Sequence, residues 1–156
     1  VELEGKKGIY FFNLDADDLL GVLGARVFNH LPYYHADMVY DPGERTTFRS
    51  RRRTPGTRPL SFAAEYGPEG DSYRPDPGTV EQFLVERYCY FTEGPDGAIR
   101  YADISHEPWR LREGTWTVSE STIFEANGFD RPEGAPVLSH SEGLSVTATA
   151  SQRWDG

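Results

Sequence analysis

Apolar and polar residues alternate along much of the chain with a period near two, the spacing that β-strands impose on their side chains. Strands are predicted over residues 8–14, 34–40, 45–53, 59–66, 89–93, 98–106, 115–118 and 144–151. The three runs between residues 34 and 66 are expected to form an antiparallel meander. The sequence Gly94-Pro95-Asp96-Gly97 predicts the turn of a hairpin between residues 89–93 and 98–106.

Helical periodicity is restricted to short stretches. Asp15 is predicted to cap a helix over residues 16–29. The apolar face of that helix consists of Leu19, Leu20, Leu23, Val27 and Phe28. A capping-box pattern that begins at Thr79 predicts a second short helix. Its buried face is expected to hold Val80, Phe83, Leu84 and Tyr88.

The segments between these elements are less regular. Residues 67–78 are too rich in Gly and Pro to predict regular structure, and residues 121–127 suit one helical turn or two. No regular βαβ alternation indicates a parallel sheet. The sequence therefore predicts a mainly β protein of the α+β class, an antiparallel curled sheet or barrel with two or three short helices. Its length fits a single domain over residues 1–156.

Charge and composition limit the classes of partner that the protein could bind. The chain has 25 acidic and 16 basic residues, a net charge of −9 that disfavours nucleic acid and anionic membranes as partners. Lys6 and Lys7 are the only lysines, so the other 14 bases are arginines. An acidic, lysine-poor surface favours a salt-adapted, halophilic cytoplasm, with the codon bias of a GC-rich genome as the alternative.

Several other signals are absent from the sequence. No apolar run is long enough to span a bilayer or to act as a signal peptide, so a soluble cytoplasmic protein is expected. Cys89 is the single cysteine, which excludes an internal disulfide. The four histidines show no recognised ligand spacing, so neither a metal nor a cofactor is predicted.

Six short motifs carry a family resemblance. They are Phe11-Phe12-Asn13-Leu14-Asp15, Gly24-Ala25-Arg26, Leu31-Pro32-Tyr33, Arg49-Ser50-Arg51-Arg52, Leu84-Val85-Glu86-Arg87-Tyr88 and His106-Glu107-Pro108-Trp109. In this order they resemble the YqjF-like proteins, an uncharacterised family similar to acetoacetate decarboxylase and placed in its superfamily. The resemblance implies an antiparallel barrel or cone around a central cavity. It covers nearly the whole chain and matches the later part of a typical member, which implies that the N-terminal part is missing.

The resemblance also bears on chemistry. In the decarboxylase a lysine after a proline forms a Schiff base with the substrate, and a second lysine lowers its pKa. The matching pair in this chain is Tyr33-Tyr34. A phenol cannot condense with a ketone, and Lys6 and Lys7 lie outside the motif. Schiff-base decarboxylation is therefore not expected.

The predicted function is binding of a small molecule that carries a carboxylate or a carbonyl group. The resemblance implies a cavity lined by Arg26, Tyr33, Tyr34, Glu86 and Arg87. Glu86 and His106 are the candidate acid and base if the protein is an enzyme. The alternative is a noncatalytic ligand sensor or structural module, in which Arg87 forms an internal ion pair and His106 stacks on Trp109 at the rim.

Two further hypotheses concern surfaces. Arg49, Arg51 and Arg53 share one face of a predicted strand, where they could bind phosphate or nucleic acid. A cross-strand ladder with acids such as Asp37 or Glu65 fits the net charge better. The second hypothesis is that a partial barrel, which would expose strand edges, pairs with another copy of the chain.

Overall fold

A computed structural model describes residues 1–155, and it is mainly β with three short helices. The strands are β1 (Glu2–Leu3), β2 (Lys6–Lys7), β3 (Ile9–Tyr10), β4 (Leu14–Ala16), β5 (Tyr33–Asp41), β6 (Thr46–Arg52), β7 (Ser61–Tyr73), β8 (Cys89–Glu93), β9 (Ile99–His106), β10 (Leu111–Ser121), β11 (Ser139–His140), β12 (Val146–Ala148) and β13 (Gln152–Arg153). The helices are α1 (Leu19–Phe28), α2 (Val80–Val85) and α3 (Ile123–Ala126). The predicted mainly β class is confirmed.

Two sheets account for most of the strands. The larger sheet has the strand order β11-β10-β7-β6-β5-β4 and curls into a half-barrel. The smaller sheet has the order β12-β9-β8-β3, and β13 also pairs with β9. The predicted meander is confirmed as β5-β6-β7. The predicted hairpin is confirmed as β8-β9, in which the Gly94 amide donates to the Ala98 carbonyl at 2.9 Å.

The predicted strand over residues 8–14 is in fact two strands in different sheets. Ile9 of β3 pairs in parallel with Tyr90 of β8, whereas Leu14 of β4 pairs in parallel with Tyr33 of β5. The chain crosses from one sheet to the other between Tyr10 and Leu14. A single strand could not continue through this crossover, because its hydrogen-bonding partners change there. The unit β4-α1-β5 is parallel, which the strand pattern did not predict.

Residues 67–78 are more regular than their composition suggests. β7 continues through Gly67 and Pro68 as far as Tyr73, because β10 supplies backbone partners along this stretch. Gly70 has φ of +67° beside a register shift in this pairing, where a bulge uses the freedom of glycine. The prediction of an irregular segment is therefore wrong as far as Tyr73.

Helix α1 begins at a different cap from the one predicted, and helix α2 does not bury the face predicted for it. Asp18, not Asp15, caps α1 and accepts a hydrogen bond from the Leu20 amide at 3.1 Å. Thr79 caps α2 as predicted and accepts from the Gln82 amide at 3.2 Å. No residue of α2 is buried, so the predicted buried face of this helix is wrong. Its exposed large apolar residues are Val80, Phe83 and Leu84, and Tyr88 just beyond the helix is also exposed.

The core is centred on β8 and is built from few large side chains. Tyr90 and Phe91 are buried with Cys89 in the middle of the smaller sheet. Trp154 packs edge-on against Phe91, with the ring centroids 5.8 Å apart. Ala36 and Ala102 are fully buried, so small residues allow close approach at two further points.

The two faces of the larger sheet differ in chemistry. The charged face carries Asp37, Arg49, Arg51 and Glu65, and the apolar face carries an aromatic row of Phe48, Phe62 and Trp116. The row has centroid separations of 6.3 Å from Phe48 to Phe62 and 6.4 Å from Phe62 to Trp116. Trp116 remains 42% exposed. An apolar sheet face of this kind normally lies against another layer.

The predicted ladder on the charged face is confirmed in part. Arg53 pairs with Asp37 at 2.5 Å, while Glu65 pairs with Arg45 at 2.5 Å. Neither Arg49 nor Arg51 has a carboxylate within 4.0 Å among residues 1–155. Two of the three arginines of the row, Arg49 and Arg51, are therefore unpaired in the described chain.

A buried ion pair spans three strands on the apolar face. Arg52 of β6 donates from Nε to Oδ1 of Asp15 in β4 at 2.8 Å, and the two side chains are 3% and 9% exposed. The Arg52 guanidinium lies 4.3 Å from the ring centroid of Tyr34, in the intervening strand β5. Its Nη2 also donates to Oδ1 of Asn13 at 2.8 Å. This pair fixes the register of β4, β5 and β6.

The same network reaches α3. Asn13 donates a short hydrogen bond from its side-chain amide to Oδ1 of Asn127. Asn127 in turn donates to the Ile123 carbonyl at 2.8 Å. The first crossover between the sheets is thereby tied to a helix more than a hundred residues later in the chain.

Replacement of Asp15 tests the importance of the buried pair. Asp15→Ala leaves the Arg52 charge buried without its carboxylate, so we expect unfolding in urea to show a loss of about 3–5 kcal/mol. Asp37→Ala is the matched control, because the Asp37–Arg53 pair is exposed, with side chains 56% and 50% accessible. Its expected cost is below about 1 kcal/mol. Equal costs for the two variants would contradict this assignment.

Candidate functional site

The joint between α1 and β5 orients two of the predicted ligand-binding residues. Arg26 lies in the last turn of α1, and Tyr34 lies near the start of β5. The helix ends at Phe28, where the Asn29 amide still donates to the Ala25 carbonyl at 3.1 Å. The Pro32 carbonyl then accepts from the Leu14 amide at 3.0 Å, which begins the pairing of the two parallel strands. The helix end and the strand start are thus fixed by separate backbone bonds.

His30 occupies the turn of this joint. Its φ of +55° lies in the left-handed region, which few residues other than glycine adopt without compensation. The buried Thr92 hydroxyl of β8 donates to the His30 carbonyl at 2.8 Å, and Ser151 Oγ lies 3.3 Å from His30 Nδ1. These contacts hold the strained backbone and connect the joint to the smaller sheet.

The Tyr34 ring contacts two guanidinium groups whose situations differ. Arg52 is buried and fully engaged with Asp15, Asn13 and the Tyr34 ring. Arg26 lies 5.8 Å from the Tyr34 ring centroid and is exposed. Within residues 1–155, neither the Arg26 guanidinium nor the Tyr34 hydroxyl has a hydrogen-bond or ion-pair partner. This corner therefore presents one free cation and one free phenol on a fixed ring.

Tyr33 and Tyr34 do not converge on one site. They are consecutive in β5, so their side chains point to opposite faces of the strand. Tyr34 lies with Arg52, whereas Tyr33 lies near the buried Tyr90 ring. Burial is the main cause that raises the pKa of Tyr90, and Cys89 and Tyr33 add to it. The hydroxyl of Tyr90 is buried without a hydrogen-bond partner in the described chain.

Glu86 is the centre of a second polar group, between α2 and β8. Its Oε1 accepts from the Trp109 backbone amide at 2.9 Å, and its Oε2 accepts a short hydrogen bond from the Tyr88 hydroxyl. The bond to Glu86 is the main cause that raises the pKa of Tyr88. Both carboxylate oxygens are therefore occupied by groups of the protein itself.

His106 belongs to the same group and is equally occupied. Its Nδ1 lies 2.8 Å from the Glu107 carbonyl, and its Nε2 lies 3.2 Å from the Arg87 carbonyl. The imidazole stacks on the Tyr88 ring at 4.5 Å between centroids and meets Trp109 edge-on at 5.9 Å. The predicted alternative of stacking on Trp109 is therefore met only by an edge contact, and the stacking partner is Tyr88. Both ring nitrogens thus lie against backbone carbonyl oxygens, to only one of which a neutral imidazole can donate.

Arg87 is the last member of this group, and its side chain contacts residues of the same segment. Its Nη1 donates to the Glu86 carbonyl at 2.9 Å, and its guanidinium lies 4.0 Å from the centroid of the Phe83 ring. It forms no ion pair with the Glu86 carboxylate. No hydrogen bond, ion pair or ring contact in residues 1–155 joins this group to Arg26 or Tyr34. The predicted residues thus form two separate groups, with Tyr33 apart from both.

An open concavity lies away from all of these residues. It has a volume of about 820 Å³ and lies on the charged face of the larger sheet, where Arg49, Arg51 and Ser61 contribute to its lining. Asp37 and Glu120 line it as well, so its charge is mixed. None of the six predicted site residues lines it. The concavity therefore does not support the predicted ligand site.

Sequence reasoning missed the residues that support the Tyr34 ring. Asp15 was predicted to be a helix cap and Asn13 was noted only as part of a motif. A signal was present in β6, where Arg52 follows Phe48 and Ser50 at alternate positions on the apolar face. An arginine in such a row must be paired if the face is buried.

Other reactive groups have ordinary structural explanations. Cys89 is buried, and burial raises the pKa of its thiol, which makes it a poor nucleophile. Residues 1–155 hold no group of three or more His, Cys, Asp or Glu side chains placed to bind a metal ion. None of the helices in this part of the chain has the length and apolar character needed to cross a membrane.

Comparisons with known proteins agree on the family. The model of the DUF2071 family, described as an uncharacterised conserved protein, matches residues 1–145. The chain is also 36% identical over 155 residues to the uncharacterised protein YqjF of Bacillus subtilis (strain 168). That match covers 99% of this chain but 63% of the relative, so the chain spans less than two thirds of the relative's length. No solved structure matches the chain significantly. The chain belongs to the DUF2071 family of uncharacterised conserved proteins.

Proposed function

We propose that the protein binds a small organic molecule carrying a carboxylate or a carbonyl group at the corner formed by Arg26 and Tyr34. The observation that supports this is the pair of unoccupied groups on a fixed ring. A guanidinium can hold a carboxylate through two parallel hydrogen bonds, and a phenol can donate one more to a carbonyl oxygen. The Tyr34 ring is preorganised, because the paired Arg52 lies against it.

The fold in which this corner lies is part of the same proposal. We infer a barrel or cone of the acetoacetate decarboxylase-like type over residues 1–156. The curl of the larger sheet and the apolar row on the same side as Tyr34 support this inference. In such a barrel the Arg26–Tyr34 corner would face the cavity.

Binding without catalysis is the version that the contacts favour. Glu86 and His106 were the candidate acid and base, yet each polar atom of their side chains already meets a protein partner. A general base must reach a substrate proton through a free lone pair. A noncatalytic ligand-binding or sensing module therefore fits better than an enzyme that uses these two residues. Arg87 and Glu86 then serve to order the segment between α2 and β8.

The chemistry of the lysines argues against Schiff-base formation. Lys6 Nζ lies 2.6 Å from Asp103 Oδ1, and this hydrogen bond is the main cause that raises the pKa of Lys6. A Schiff-base lysine needs the opposite shift, because the neutral amine is the nucleophile. Lys7 is exposed and lies 3.9 Å from Glu2. Neither amine is prepared for condensation with a ketone.

Reductive trapping tests this point. Treatment with acetoacetate and borohydride near neutral pH should leave the mass of the peptides containing Lys6 and Lys7 unchanged. The reason is that the ion pair with Asp103 keeps the Lys6 amine charged, and Lys7 is exposed beside Glu2. A stable reduced adduct on either lysine, seen by mass spectrometry, would contradict the proposal.

Arg26 is the residue whose replacement tests ligand binding. Acetoacetate, pyruvate and benzoate are the probes, followed by chemical-shift changes of backbone amides around residues 26–35. Arg26→Ala should weaken binding of the tightest probe by roughly 10- to 100-fold, since a hydrogen bond to a charged group contributes about 1.5–3 kcal/mol. Tyr34→Phe should cost less, because the ring remains.

Arg49→Ala is the matched control for that experiment. Arg49 is also exposed and without a carboxylate partner within residues 1–155, but it lies on the charged face of the sheet. Its removal should leave the affinity unchanged. An equal loss in both variants would mean unspecific attraction of anions. Absence of binding for all three probes at millimolar concentration would contradict the proposed function.

We also propose that the protein works in a cytoplasm of high salt and does not bind nucleic acid. This proposal is supported by the composition, because the chain has 25 acidic and 16 basic residues and only two of the basic residues are lysines. Repulsion between acidic side chains is screened by salt, so the free energy of unfolding should rise as potassium chloride is increased to molar concentrations. The measurement is urea unfolding at several salt concentrations. An optimum in low salt would instead favour a codon-bias origin of the arginine content.

A further inference from the structure

Helix α1 exposes its large apolar side chains and buries a small part of its surface. Leu20 is 79% exposed and Phe28 is 74% exposed, whereas Val22 is 3% exposed. Leu19, Leu23 and Val27 are also more than half exposed. An amphipathic helix normally turns its large apolar residues to the core. In α1 this orientation is reversed.

The exposed residues cover a continuous part of the helix surface. Each residue advances the helix by about 100°, so Leu19, Leu23, Val27 and Leu20 fall within about 100° of one another. Phe28 extends the apolar surface to the opposite end of a half-circle that starts at Leu19. Val22, on the other side, is the buried residue of the helix. We call the half-circle from Leu19 to Phe28 the outer face of α1.

Burial of the outer face would contribute a large free energy for so short a helix. Full burial of one such side chain is worth about 1.5–3 kcal/mol, and the outer face presents five of them. Contiguous apolar patches on monomeric proteins mark interaction sites. The outer face of α1 therefore has the properties of one half of an interface.

A second apolar surface lies on the same side of the larger sheet. The Arg26 guanidinium reaches the Tyr34 ring from α1, so the last turn of the helix lies beside the apolar face. This face carries the row of Phe48, Phe62 and Trp116. A polypeptide that covered α1 could continue over this row without crossing to the charged face.

The comparison with YqjF indicates what occupies this surface. More than a third of YqjF lies outside the region that aligns with this chain, since the match covers 63% of that protein. We propose that the outer face of α1 docks a polypeptide segment that corresponds to this unaligned part of YqjF. The proposal is independent of the ligand site, because it rests on apolar exposure and on the length of the relative.

A second copy of the chain fits this surface less well. A two-fold helix contact buries a stripe of roughly 100° on each helix. The outer face spans about 180°, so Phe28 would stay in water on each copy. A segment that wraps around the helix end can cover the entire outer face.

A fusion tests the proposal directly. The unaligned part of YqjF is joined to residues 1–156 on the side it occupies in YqjF, and amide hydrogen exchange is compared with that of the chain alone. Exchange in α1 should slow by at least tenfold in the fusion, and binding of a fluorescent apolar dye should fall severalfold. No change in either measurement would overturn the proposal.

Two variants separate docking from general stabilisation. Leu23→Lys changes an exposed side chain of the outer face, so it should leave the chain alone folded but remove the added protection of α1 in the fusion. Val39→Lys is the control, because Val39 is 58% exposed on the charged face. It should leave the protection intact. Equal behaviour of the two variants would contradict docking on α1.

A measurement on YqjF itself removes dependence on the fusion. In intact YqjF the helix that aligns with α1 should be protected, and removal of the unaligned part should speed its exchange at least tenfold. If that helix is unprotected in intact YqjF, the proposal is wrong. If α1 of this chain becomes protected on its own as protein concentration rises, a second copy is the occupant and the proposal is also wrong.

Discussion

The ion pair between Arg52 and Asp15 is the constraint on which the larger sheet depends. A charge removed from water costs several kcal/mol, so a buried guanidinium demands a carboxylate in one particular place. Arg52 finds it two strands away, across the Tyr34 ring. The pair therefore makes the position of β4 a condition for burying β6. The chain can enter the larger sheet at β4 in only one register without leaving a charge unpaired.

The meander β5-β6-β7 and the β8-β9 hairpin were predictable from sequence because their information is local. Alternation and turn residues specify each strand and its neighbour. The role of Asp15 was not predictable in the same way, since its partner lies 37 residues later in the chain. A capping rule considers only the next few residues. The strand at Gly67 and Pro68 was missed for the same reason, because β10 supplies its partners.

The candidate site shows the same division between chemistry and arrangement. Sequence indicated which side chains could bind or react, but could not show which of them were already occupied. Glu86 and His106 have suitable chemistry for catalysis, yet their polar atoms meet the protein itself. Arg26 has no such partner in the described chain. Whether a polar group is free is a property of the packed structure, and short-range sequence patterns do not contain it.

The crossover between β3 and β4 limits how the two sheets can move. The chain passes from Tyr10 to Leu14 in four residue steps, which span at most about 14 Å when fully extended. The sheets are joined again nearby, where Thr92 bonds the His30 carbonyl. This end of the structure therefore acts as a short tether with two attachment points. The opposite edges, beside β11 and β12, are tied as well, because the chain crosses from His106 of β9 to Leu111 of β10 in five residue steps. The space between the sheets can therefore widen or narrow only within the reach of short links at both ends.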